Sequence, residues 1–258
     1  MSSIPNCSFV DIHSHVIYGL DDGAKTLDDS IAMLEMAASG GTTDIVGTPH
    51  SDLVYPFQPE LIAPRVAELN AALAGRIRLH HGCDFHLHFE NIQDCLANPT
   101  KYTINQQRFL MVEFHNETIP PCIDDVFSRM SYCDVTPVIT HPERNPLLRR
   151  RFDDIARWIR AGCLVQVTAQ SFLDRFGKES RRASDELMER NMVHFIASDA
   201  HDTHDRIPLL GDAFAYIVDR YGAARASALF ADNPRATLTG RYLEVEEPIT
   251  PKKKKWFW

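Results

Sequence analysis

The stretch from Val10 to Thr26 reads VDIHSHVIYGLDDGAKT, with His13 and His15 two residues apart at the end of an apolar run and Asp21 and Asp22 just downstream. Imidazole and carboxylate are the donors of a transition-metal site without thiolate. Residues i and i+2 of a strand point to the same side, so His13 and His15 can share an ion. A lone His-x-His is more often chance. Here the pattern recurs at the end of almost every apolar run. The second run ends in Thr48-Pro49-His50, the third in Asp84-Phe85-His86, the fourth in Glu113-Phe114-His115, the fifth in His141-Pro142-Glu143-Arg144 and the last in Asp199-Ala200-His201. Only the sixth, VTAQS, delivers no His, Asp or Glu.

Those residues need elements to position them. Short β-rich runs alternate with helical patterns along the whole chain: SFVDIHSH, then TLDDSIAMLEMAASGG; TDIVGTPH, then PELIAPRVAELNAALAG; IRLHHGCDF; RFLMVEF, then IDDVFSRMSY; TPVITH, then FDDIARWIRAG; CLVQVTAQS, then SRRASDELMERN; and VHFIASDAH, followed by helical stretches around AFAYIVDRYG and AARASALFAD. Thr26 with Asp29 three residues on reads as a capping box, and Pro64 either kinks the second helix or starts its main part. About seven strands alternating with helices argue for a parallel sheet, and closing it gives a seven-stranded (β/α) barrel. The open doubly wound alternative lacks a GxGxxG turn after its first strand. In a barrel, the C-terminal strand ends converge on one face, where active sites lie.

The candidate ligands are five histidines (His13, His15, His50, His141, His201) and four carboxylates (Asp22, Asp84, Glu113, Asp199). Nine side chains are too many for one ion, whereas three divalent ions sharing carboxylates would use them well. Four carboxylates against three such ions leave a positive site that attracts a phosphate dianion; with two ions the site is neutral. The donor set suits manganese, iron, zinc or cobalt.

Composition narrows the class. The chain has 258 residues, 44% of them hydrophobic, enough for one large α/β domain, and its net charge of -8 argues against a general nucleic-acid binder. No basic and apolar leader opens it, and no apolar run approaches the ~20 residues that span a bilayer, so a cytoplasmic protein is expected. The six cysteines are scattered, as reduced thiols are. Cys122 and Arg129 are one residue too far apart for the C-x5-R loop of a thiol phosphatase. Residues 1–245 are expected to form a single barrel domain and 246–258 a flexible basic-aromatic tail. In that tail, PKKKKWFW offers weak peripheral contact with an anionic membrane, at about 1 kcal/mol per lysine.

The motifs DIHSH, TPH, VEF, THPER and SDAH, in this order, resemble the polymerase-and-histidinol-phosphatase (PHP) superfamily. The longer DIHSHVIYGLDDGAKTLDDSIAML is similar to one branch, the CpsB/CapC-type bacterial tyrosine phosphatases associated with capsule and exopolysaccharide synthesis. The resemblance runs from about Asp11 to His201. It implies a distorted (β/α)7 TIM-like barrel and a trinuclear metal centre that often holds manganese. It also implies a phosphotyrosyl protein as substrate, a bacterial tyrosine kinase in such a system. The family's ligands carry over onto His13, His15, Asp22, His50, Glu113, His141, Asp199 and His201, with Arg144 as a phosphate-binding catalytic arginine. Asp84 stands where the family commonly has glutamate.

Three rivals remain at this level. A small-molecule phosphatase such as one for histidinol phosphate would use the same metals, and a metal-stabilised scaffold would have no need of Arg144. An amidohydrolase barrel usually wants a lysine where Glu113 stands. The other residues take plainer readings. His80, His81, His194 and His204 are surface or strand-end residues, Trp158 is core, and Asp21 shapes the loop or supports a ligand. His86, His88 and His115 lie near the mouth, and Arg149, Arg150 and Arg151 begin a solvated helix close enough to Arg144 to steer an anionic peptide.

Overall fold

The computed structural model describes residues 8–249. Its strands are β1 (Phe9–Ser14), β2 (Thr42–Gly47), β3 (His50–Ser51), β4 (Arg78–His81), β5 (Asp84–His86), β6 (Phe109–Glu113), β7 (Thr136–Thr140), β8 (Leu164–Thr168) and β9 (Phe195–Ala197). Every pairing is parallel, in the orders β1-β2-β4 and β3-β5-β6-β7-β8-β9.

Two of the expected strands are each broken in the middle. The second splits at Thr48-Pro49, where proline has no N–H to give a ladder, and the third splits at Gly82-Cys83. Pairing continues across both gaps: Gly82 N donates to Gly47 O at 2.9 Å and Asp84 N to Pro49 O at 3.1 Å. The chain therefore forms seven strands in sequence order, two of them interrupted. Bonds from β9 back to β1 link the two edges. Asp199 N donates to His13 O and His15 N to Ala200 O, both at 2.8 Å. The buried Asp11 carboxylate adds a third link by accepting from Ser198 N at 3.0 Å.

Helices pack outside: α1 (Leu27–Ser39), α2 (Pro59–Leu73), α3 (Phe89–Ala97), α4 (Ile123–Tyr132), α5 (Phe152–Arg160), α6 (Gly177–Glu189), α7 (Gly211–Tyr221), α8 (Ala223–Ser227) and α9 (Asn233–Leu238). The capping box is present: Thr26 Oγ1 accepts from Asp29 N and the Asp29 carboxylate from Thr26 N. Pro64 lies inside an uninterrupted α2, whose start is set by Pro59.

The apolar core has two parts around the strands. Val10, Ile12, Val46, Phe109, Met111, Val138, Leu164, Phe195 and Ala197, from six strands, cluster with Ile104. The opposite strand faces (Val112, Ile139, Val165, Ile196) pack on helix residues such as Phe127, Trp158, Leu187 and Phe214. Trp158 is core, stacked on Phe114 with centroids 5.3 Å apart. Because apolar residues occupy the N-terminal halves of the strands, polar groups at their C-terminal ends sit on a rigid floor.

No helix among the described residues is long and apolar enough to cross a membrane. Ile249 N donates to Arg190 O at 2.8 Å, and the lysine-rich segment beyond it lies outside the described residues.

His194, at the foot of β9, is buried, and its Nδ1 accepts the N–H of Val165 at 3.1 Å. Burial, helped by Arg225, pushes its pKa down from 6.5 to about 3. The unfolded chain then binds the proton that the folded chain refuses, so this group costs stability as pH falls from about 6.5 towards 3. The slope is roughly 1.4 kcal/mol per pH unit. Urea unfolding should show His194 removing about 2 kcal/mol between pH 7 and pH 5. In His194→Gln that increment should vanish, whatever the variant's stability at pH 7.

Candidate metal centre

The C-terminal strand ends and the loop after β1 bring all nine expected ligands together. Their donor atoms fall into four overlapping groups, each within 4.8 Å: His15, Asp22, His50 and His201; His50, Asp84, His86 and Glu113; His13, His15 and Asp84; and His13, His141 and Asp199. His13, His15, His50 and Asp84 each belong to two groups, so the groups form one continuous set.

Asp84 is central. It is fully buried, and its Oδ2 lies 3.4 Å from His13 Nε2 and 3.3 Å from His50 Nδ1. Thus the shorter aspartate arm still stands among donors from β1 and β3. Asp22 comes from the loop after β1 and places Oδ1 3.5 Å from His50 Nε2 and 3.3 Å from His201 Nε2. Gly23 makes that return possible. A Cβ there would lie 2.1 Å from His15 O, so only glycine lets the loop close onto β1. Two of these donors sit on strained backbone: His141 has φ 31° and Asp199 φ 52°. Non-glycine residues in that region cost of order 1–3 kcal/mol each and cluster at functional sites.

Supporting contacts orient the rings. Asp21 lies 2.6 Å from His15 Nδ1 and also accepts from His50 N, which settles its part in the loop as support. Gln166 Oε1 lies 3.0 Å from His13 Nδ1. In both cases the far nitrogen, Nε2, is left pointing into the cluster. Such partners fix the tautomer of a ligating histidine. The strand without a terminal ligand, β8, thus contributes Gln166, while Thr168 N and Ser171 Oγ bond the buried Glu143 carboxylate at 3.0 and 2.7 Å.

The donor set passes a direct test for a cation. Buried polar atoms nearly always find partners. Yet His13 Nε2, His15 Nε2, His201 Nε2 and both Asp84 oxygens are buried with no well-aligned hydrogen-bond partner in the protein. The electrostatics point the same way. Burial opposes charge on His13 and His50, but neighbouring carboxylates outweigh it and hold them at about 9 and about 11. Burial also opposes ionisation of Asp84 and Asp199; His13 and His50 hold Asp84, and Arg144 and His13 hold Asp199, well below the usual range. Carboxylates that draw protons onto buried histidines would draw divalent cations in their place.

Arg144 sits at this site, with its guanidinium on the Asp199 carboxylate and 4.3 Å from the centroid of the Phe176 ring. Two participants stood outside the nine ligand candidates. His86, read as a residue of the mouth, lies 2.8 Å from Glu113 Oε2 and 3.2 Å from His50 Nδ1. The Asp84-x-His86 spacing, the same as in His13-x-His15, was its signal. Arg206 bonds Asp199 Oδ2 at 2.6 Å. It is brought there by a loop in which Asp202 Oδ1 accepts from the N–H groups of His204, Asp205 and Arg206. Of the flanking arginines, Arg149 is tied inward to Arg144 O at 3.3 Å and to Glu179. A cavity of about 310 Å³ opens beside Asp22 and His201, with Ala32 and Met33 among its walls.

The family model described as "Capsular polysaccharide synthesis, CpsB/CapC" matches residues 9–239. The chain belongs to the CpsB/CapC family. CapC of Staphylococcus aureus is 32% identical over 255 residues, covering 96% of this chain and 98% of that protein. YwqE of Bacillus subtilis, named a tyrosine-protein phosphatase, is 29% identical over 252 residues, covering 96% of this chain and 98% of its own. A solved structure, from a study of YwqE and Streptococcus pneumoniae CpsB as metal-dependent tyrosine phosphatases, superposes with a TM-score of 0.88 at 27% identity. It covers 95% of this chain and 100% of its own. The CpsB/CapC chain shares its α/β fold more distantly with the lactonase Lmo2620 of Listeria monocytogenes, at a TM-score of 0.58 and 13% identity, covering 92% of this chain and 96% of that one.

Proposed function

We propose that this CpsB/CapC family member is a metal-dependent phosphatase that hydrolyses phosphotyrosine on a protein, a bacterial tyrosine kinase of a capsule or exopolysaccharide system. The observation that carries the reading is the convergence of nine His and carboxylate side chains, with unpartnered buried donor atoms, beside two arginines on Asp199. The full-length likeness to proteins named tyrosine phosphatases supplies the substrate class.

His13, His15, Asp22, His50, Asp84, Glu113, His141, Asp199 and His201, with His86 at the edge, would hold three divalent ions, manganese foremost. Such ions polarise a phosphoryl oxygen and make a nucleophile of water near neutral pH. The protein's own groups do the rest. Arg144 offers a planar fork to the phosphoryl oxygens, and Arg206 approaches Asp199 as a second cation. Gln166 and Asp21 keep the His13 and His15 rings turned inward. The leaving phenolate has a pKa of about 10, so no strong general acid is needed.

Turnover of matched substrates tests this reading. With the manganese-loaded chain, kcat/KM for phosphotyrosyl peptides should exceed that for phosphoserine peptides and for histidinol phosphate by at least about tenfold, the effect of ~1.4 kcal/mol. Histidinol phosphate turned over best would move the chain to small-molecule chemistry.

A further inference from the structure

Most of the apolar surface near the candidate centre is covered, but one sector is not. Leu53 is 84% exposed, Val54 73% and Phe89 72%. All three follow directly from ligand-bearing segments: Leu53 and Val54 come after β3, which carries His50, and Phe89 comes after β5, which carries Asp84 and His86.

Their exposure is not that of a loose loop. Asp52 Oδ1 accepts from Val54 N at 2.7 Å and from Tyr55 N at 2.6 Å, while Asp52 N donates to Tyr55 O at 3.0 Å. This closed turn holds Leu53 and Val54 at its tip. Asn91 Nδ2 then ties the two segments together, donating to Ser51 O at 2.7 Å and to His86 O at 3.1 Å. Tyr55 joins the turn to the site: its ring lies 6.2 Å from the His50 ring, with the planes 20° apart. A solvated rim would be polar. Fixed apolar side chains beside a concave polar site mark a surface that another molecule covers.

We infer that Leu53, Val54, Tyr55 and Phe89 form the docking rim for the polypeptide that carries the phosphotyrosine, taking its aromatic ring on Tyr55 and its apolar flanking side chains on Leu53, Val54 and Phe89. The inference rests on the phosphatase reading and extends it to which phosphotyrosyl segments are chosen. The rim is continuous with the candidate centre through His50. The aromatic ring of a phosphotyrosine follows the phosphoryl group by a single oxygen, so a phosphate at the centre brings a ring beside Tyr55. A phosphoserine has no ring to offer there. The phosphate would meet Arg144 and Arg206, which sit on Asp199, while Leu53, Val54, Tyr55 and Phe89 are uncharged side chains suited to the apolar part of the peptide.

Two phosphotyrosyl peptides test it, one with leucines on both sides of the phosphotyrosine and one with serines, assayed with the manganese-loaded full chain. Wild type should prefer the leucine peptide by roughly tenfold in kcat/KM, carried by KM. In the triple variant L53S/V54S/F89S the preference should fall to near one. These side chains are exposed, so the variant should fold, and an unchanged melting temperature and metal content would verify it. Tyr55→Ala should raise KM for both peptides. A wild type without preference, or a triple variant that keeps it, overturns the rim. A wild type that self-associates, and whose triple variant is monomeric, gives the surface to a second copy and also overturns it. If wild type hydrolyses neither peptide, the phosphatase reading fails and the rim falls with it; turnover without preference strikes the rim alone.

Discussion

His13→Ala is expected to lose bound metal and nearly all phosphatase activity while keeping its fold. His13 contributes to two of the donor groups, and its Nε2 faces Asp84 at 3.4 Å and Asp199 at 3.5 Å. Losing a residue that merely orients a ligand typically costs ~10–100-fold in metal affinity or activity, so losing a shared donor should cost more. Asp199→Ala should behave alike, with a difference. It also strips Arg144 and Arg206 of their common carboxylate. Metal analysis beside turnover measures both effects. Full activity in either variant would mean that the cluster is not the catalytic centre.

Arg144→Ala should show the opposite pattern, with metal retained and turnover lost. Removing one charged donor to the transition state typically costs ~10²–10³ in rate, or about 3–4 kcal/mol. Because Arg144 is a cation on the Asp199 carboxylate, its removal should leave metal binding undiminished or tighter. Arg144→Lys should recover little, since a point charge does not reproduce the planar fork. Phosphate should raise the thermal stability of wild type more than that of Arg144→Ala. Unchanged turnover by a metal-replete Arg144→Ala protein would reduce this residue to a structural arginine and reopen the scaffold reading.

Strand ends were the most legible part of the sequence, because a parallel barrel turns a one-dimensional rule, polar residues closing apolar runs, into a shared face. Eight of the nine ligand candidates meet there for that reason, and Asp22 reaches them from the loop after β1. His86 obeyed the same spacing but was hidden by the stronger signal of Asp84 in the same strand. Arg206 was not legible. HDTHDR looks like a solvated loop, and only the turn built on Asp202 folds it back onto Asp199. Equally silent was Gln166, since an amide in the middle of a strand reads as a packing defect until His13 is seen against it. The breaks in the second and third strands depend on one N–H that Pro49 lacks and on a two-residue irregularity at Gly82-Cys83, features too local for periodicity to register. Asp11 reads from sequence as one more polar strand residue, whereas it bonds Ser198 N and so helps join β9 to β1.

The most direct test of the account is a metal titration. The chain is stripped with chelator and returned to manganese in steps, with bound ions counted and hydrolysis of a phosphotyrosyl peptide followed at each step. Three ions per chain are predicted at saturation, with no turnover in the stripped protein and full turnover only as the last ion loads. Undiminished hydrolysis by the stripped chain would contradict the account, as would a saturated chain that leaves phosphotyrosine intact.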